Sequence, residues 1–166
     1  SSQLSIKGSI QAEEQRAVER LASDRARLLD LQKMQAARTK LFQAVQSMTA
    51  ADADNLESQL KKNPEDLEAR EKLVTFYSRD LQKQQPEILA KVIPARRRHI
   101  LWLIENHPDS DLLTGAVTRL NPGSSKQFAD AQGYEEAKRL WLSIADRSGA
   151  TPTVLGNAAL FLNLLF

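Results

Sequence analysis

Between Ser9 and Met48 the chain contains neither glycine nor proline. So long a stretch without a breaker, carrying Val18, Leu21, Leu28, Leu31, Met34, Leu41, Val45 and Met48, predicts an α-helix. From Leu31 the apolar positions step by three and four, with Arg38 filling one slot, close to a heptad seam. The phase slips by one residue near Leu28 and Leu31, so the seam is imperfect. The pattern fits a helix packed on its own domain, which is the expected reading. It also fits a kinked or doubled helix with Ser23 and Asp24 as an internal cap, or a coiled coil between two chains. Residues 1–49 are read as this long amphipathic helix, and 50–166 as a separate helical domain.

The second part is punctuated by capping residues and prolines. Thr49 to Asp54 offers several N-caps for a short helix reaching Lys62, with Leu56 and Leu60 turned inward. Asn63-Pro64 stops it and opens the next helix, whose first turn is acidic (Glu65, Asp66, Glu68), as the helix dipole favours. Its apolar face runs through Leu67, Leu73, Val74, Phe76, Tyr77 and Leu81. Gln82 to Ile93, with Pro86, reads as a connector containing at most a helical turn. Further helices are expected over 94–106, 112–120, 134–145 and 154–166. No segment alternates at period two for long enough to be a strand, so the fold class is all-α, built of antiparallel helix pairs.

Composition removes several function classes. The chain has no cysteine, which excludes disulfides, zinc–thiolate sites and thiol nucleophiles. The net charge of +2 is spread along the chain and no basic domain emerges, so nucleic acid is not an expected partner. No apolar run reaches the roughly 18–20 residues that span a bilayer. The compartment stays open between bacterial cytoplasm and periplasm. His99 and His107 lack a second histidine at metal-ligand spacing, and no phosphate-cradling glycine loop or nucleophile elbow is present. No metal, cofactor or catalytic residue is expected.

The segment from Gly133 to Pro152 resembles the second helix of a tetratricopeptide repeat and the turn that follows. Ala137, Trp141 and Ile144 match the family's small–aromatic–small pattern in type and spacing, and Ala158, Ala159 and Leu162 fall near positions expected in the next repeat. Asn63 to Asp80 resembles a first helix, with Leu73 and Tyr77 at its leucine and tyrosine positions. Ala95 to Ser110 would be the matching second helix, ending at Pro108. The span from Pro64 to Pro108 exceeds the family's period of about 34 residues, which places an insertion at Gln82–Ile93. The middle unit lacks the family's aromatic signature. The resemblance, over residues 50–166, is to divergent bacterial proteins of this type and implies a short α-solenoid acting as an adaptor for a protein or peptide.

In such an array the exposed face of a first helix lines the groove, here Glu68, Glu71, Thr75 and Ser78. Arg97 and Arg98, from the run Arg96–Arg98, are candidate contacts for an acidic segment; a solvated face with local Glu/Asp pairing is the simpler account of that run. The last helix is apolar nearly all round and reads as an open edge, with Leu160, Phe161 and Leu164 as interface candidates. The alternative function is oligomerisation through residues 9–48.

Overall fold

The computed structural model describes residues 2–83, 85–124 and 127–163. Among them the chain is predominantly helical, with no strand; a single isolated bridge joins Asn121 and Ala129. Six α-helices follow in order: α1 (Ser2–Gln46), α2 (Ala50–Lys62), α3 (Leu67–Asp80), α4 (Pro86–Asn106), α5 (Ala131–Ala145) and α6 (Pro152–Asn163). Two 3-10 turns, Asp111–Thr114 and Ala116–Thr118, lie between α4 and α5. The chain divides into two compact units, Ser1–Lys40 and Leu41–Phe166.

In the first unit residues 2–40 are exposed, with Met34 alone half-buried. Leu21 is 70% and Leu28 60% exposed. The phase slip seen in the sequence has a direct consequence. At about 100° per residue, Leu21 and Leu28 fall on one face while Val18 and Leu29 fall on another.

The second unit begins with the last turns of α1. Val45 is fully buried there, and Arg79 of α3 donates to the carbonyls of Val45 (2.6 Å), Gln46 (3.1 Å) and Met48 (3.1 Å). These carbonyls lie at and just beyond the end of α1, where intrahelical partners run out. A capping box then starts α2: the Thr49 amide donates to Asp52 Oδ2 (2.8 Å) and Thr49 Oγ1 accepts from the Asp52 amide (3.3 Å). Asp66 caps α3 through the Ala69 amide. Each helix packs on the next in sequence, α2 on α3, α3 on α4, α4 on α5 and α5 on α6. Helix α3 uses two faces. Leu73, Phe76 and Tyr77 join Val45, Leu60 and Val92 in one core, while Val74 joins Ile100, Leu103, Trp141 and Ile144 in the other.

Two expected elements differ. The connector at Gln82–Ile93 is largely helical, because α4 begins at Pro86 and runs through Pro94. Pro86 occupies the first turn, where its missing N–H is harmless. Pro94 and Ala90, four residues earlier, are both exposed, so the carbonyl that the proline ring leaves unpaired faces water. The helix expected over 112–120 is instead the pair of 3-10 turns. Gly115 interrupts it with an extended conformation (φ −91°, ψ 163°), and Thr118 Oγ1 bonds the carbonyls of Leu112 (3.0 Å) and Gly115 (3.1 Å).

Candidate functional site

Helix α4 carries Arg96, Arg97, Arg98 and His99 in succession, and a helix turns each to a different side. Arg96 points into the core and is 2% exposed. It donates to Ser78 Oγ (2.8 Å) and to the carbonyls of Val117 (2.5 Å) and Arg119 (2.7 Å), and its guanidinium lies 4.9 Å from the Phe128 ring centre. No carboxylate bonds it, and burial lowers its pKa to about 10. Arg97 forms a two-point pair with Asp130 (2.6 and 2.8 Å), which also caps α5 by accepting from the Gly133 amide (3.0 Å). The expectation of a solvated arginine face therefore fails at Arg96. At Arg97 and Arg98 the pairing is to other helices and loops rather than local.

Arg98 and His99 belong to a polar cluster joining α2, α3 and α4. Glu57 Oε1 accepts from Tyr77 Oη (2.9 Å), Arg98 Nη2 (3.0 Å) and His99 Nε2 (2.8 Å). Arg70 Nη1 lies 3.0 Å from His99 Nδ1, and its Nη2 donates to the Pro64 carbonyl (2.6 Å). A guanidinium has donors only, so Nδ1 accepts and the imidazole proton sits on Nε2, aimed at Glu57. The Tyr77 ring stacks on His99 at 6.2 Å, and the Arg70 guanidinium lies 3.6 Å over the Trp102 ring.

Burial opposes charge on Glu57, but the hydrogen bond from His99 Nε2, then that from Tyr77 and the charge of Arg98, hold its carboxyl down at about 2. The Tyr77 hydroxyl is pushed up, first by burial and then by its bond to Glu57. Burial lowers Arg70, with Glu57 and Glu65 opposing. The cluster floors an open recess of about 550 Å³, rimmed by Asp54, Lys61, Lys91 and Pro94. Both His99 nitrogens are engaged within the fold. The arrangement is that of a clamp between three helices.

The other sequence-derived sites are scattered. Glu68 is exposed and pairs with Lys72 (2.8 Å). Glu71 is half-buried, and its carboxyl is raised by burial and by Glu68 and Asp111. Thr75 and Ser78, expected to line an open groove, are buried: Thr75 Oγ1 bonds the Glu71 carbonyl (2.8 Å), and Ser78 lies within reach of Arg96 and the Val117 carbonyl. The chain from Gly115 to Arg119 covers this part of α3. Leu160 is 39% exposed, as expected. Phe161 is half-buried and stacks on Tyr134 at 5.4 Å, so it is a packing residue; Leu164 lies outside the described residues.

Sequence reasoning passed over Glu57 and Arg70, and took Arg96 only as part of the Arg96–Arg98 charge run. Arg70 and Arg96 carried a signal: each fills an apolar slot in a helical stripe, Leu67–Arg70–Val74–Tyr77 and Val92–Arg96–Ile100–Leu103. Glu57 carried none. Among the described residues no group of three or more His, Cys, Asp or Glu is placed to hold a metal, and no helix is long and apolar enough to cross a membrane. Compared with known proteins, the chain matches no family model, no curated protein and no solved structure.

Proposed function

We infer that the protein is a non-enzymatic interaction module, a short tetratricopeptide-like helical body carrying a long helix that engages a helical segment of another chain. The observation that carries this reading is the exposure of Ile10, Val18, Leu21, Leu28 and Leu31 along the first unit. An isolated helix gains little from propensity alone, and apolar residues exposed along it are stabilised by burial against a partner. Packing of each helix on its neighbour, with Ala137, Trp141 and Ile144 all buried, supports a repeat-like body. Burial of Thr75 and Ser78 disfavours a groove on α3 and shifts the binding surface to α1. The use of both His99 nitrogens within the fold argues against acid–base chemistry at the only buried histidine among the described residues.

The test compares the full chain with a Leu21→Glu, Leu28→Glu variant, both used as bait in a lysate of the source organism. Protein partners held by the parent and lost by the variant support the reading. Identical partner sets, or tight retention of a metabolite with no protein, count against it.

A further inference from the structure

We propose that the helical segment received by α1 is α1 of a second copy, lying antiparallel. This rests on the reading of α1 as the interaction surface and adds the identity and direction of its occupant.

One heptad register threads five of the exposed apolar residues of the first unit, while Leu4, Ile6, Val18 and Leu29 lie off it. Ile10, Ala17, Leu21, Leu28 and Leu31 lie along it at intervals of seven, four, seven and three, all on one side of the helix. Polar residues fill its remaining slots: Glu14, Asp24, Gln35 and Arg38. Their signs decide the direction of pairing. A parallel pair in register stacks Glu14 on Glu14 and Asp24 on Asp24, and sets Arg20 beside Arg25 of the second copy. Three like-charge contacts would then fall in or beside one seam, where desolvation raises their cost.

An antiparallel pair is different. With Leu21 facing Leu31 of the second copy, Glu14 faces Arg38 and Ala17 faces Gln35. Asp24 falls against Leu28 but next to Arg27 of the second copy, which can reach its carboxylate. By the two-fold symmetry each of these contacts occurs twice. The other antiparallel registers are poorer. Sliding by one heptad in one direction removes the leucine–leucine layers and leaves Glu14 against Leu31; in the other direction Leu28 faces Leu31, but Leu21 falls against Arg38 and Glu14 against Val45, which is already buried within the fold. Sliding by two sets Glu14 against Asp24. The same polar residues that make α1 a poor parallel coiled coil therefore select one antiparallel register, which is how buried polar positions fix partner geometry.

The absence of cysteine makes the test clean. Leu21→Cys and Leu31→Cys each introduce a single thiol into the full chain. The proposal predicts a disulfide between chains only when the two variants are mixed, joining position 21 of one to position 31 of the other. Alongside, sedimentation of the full chain should show a dimer. Glu14→Arg and Arg38→Glu should each weaken it about tenfold, and the double exchange within one chain should restore it to near the parent affinity. Disulfides formed by each variant alone would establish a parallel pair and overturn the proposal. A parent chain that sediments as a monomer, with no disulfide in the mixture, would overturn it as well. In that second case, loss of captured partners by the Leu21→Glu, Leu28→Glu variant would still leave α1 as the surface for a different chain.

Discussion

Arg70 Nη1 lies 3.0 Å from His99 Nδ1, an arginine set against the one imidazole nitrogen that can only accept from it. That contact fixes the His99 tautomer and, through Nε2, the bond to Glu57. Glu57 is the sole α2 residue in the cluster, so the α2 end of the clamp rests on a single carboxylate.

The clamp makes stability depend on acid pH. Glu57's carboxyl sits near 2 in the folded chain, below the ordinary 4.5. A depressed folded value means that the stabilisation is fully present above the unfolded pKa and is lost as pH falls through about 2. Urea unfolding should therefore show stability declining between about pH 5 and pH 2. Glu57→Gln should flatten that decline and cost about 1–2 kcal/mol at neutral pH, once solvent screening of a partly exposed group is allowed for. Nitrogen NMR at neutral pH should find the His99 proton on Nε2.

Arg96 is expected to be intolerant of truncation. Arg96→Ala would leave the Arg119 carbonyl without its donor and remove one donor from the Ser78 hydroxyl and one from the Val117 carbonyl, which Ser78 Oγ also reaches, at a cost of about 3 kcal/mol or more. Arg96→Lys should recover only part of this, because one ammonium cannot reproduce the planar fork. Chemical denaturation of both variants checks the order.

Gly133→Ala should destabilise the protein by about 1–2 kcal/mol, against the gain of roughly 1 kcal/mol that alanine normally brings inside a helix. A Cβ at this position would run into the Asp130 carboxylate and come within 3.1 Å of Arg97 Cγ. Asp130 is at once the cap of α5 and the partner of Arg97, so moving it disturbs two interactions. Thermal unfolding reads the sign directly.

Trp141, 1% exposed in the core, should cost roughly 3–5 kcal/mol when changed to alanine. Its Nε1 is buried without a hydrogen-bond partner. Trp141→Phe removes that unsatisfied donor along with one ring, so its cost should be well under half as large. Denaturant midpoints of the two variants make the comparison.

The helical character, the core positions and most boundaries were legible because apolar spacing and capping chemistry act locally. Thr49 with Asp52, and the Ala137–Trp141–Ile144 face, could be read from neighbours in sequence. Burial of polar residues outside an apolar stripe could not. Thr75 and Ser78 look like solvent positions on α3, and only the return of the chain at Gly115–Arg119 covers them. Arg96 fills an apolar slot of its helix and Arg98 does not, but the carbonyls of Val117 and Arg119 that receive Arg96 lie over twenty residues away and could not be read. Pro94 reads as the start of a helix rather than its interior, because sequence alone does not reveal that the Ala90 carbonyl it leaves unpaired faces water.

The most direct measurement of the central idea, that α1 offers its apolar residues to another chain, is amide hydrogen exchange followed by peptide mapping at low and high protein concentration. The account predicts slow exchange for the cores of α3, α4 and α5 at both. For residues 2–40 it predicts fast exchange at low concentration and clear protection at high concentration. Protection of residues 2–40 that is already strong at low concentration, and unchanged on raising it, would contradict the account.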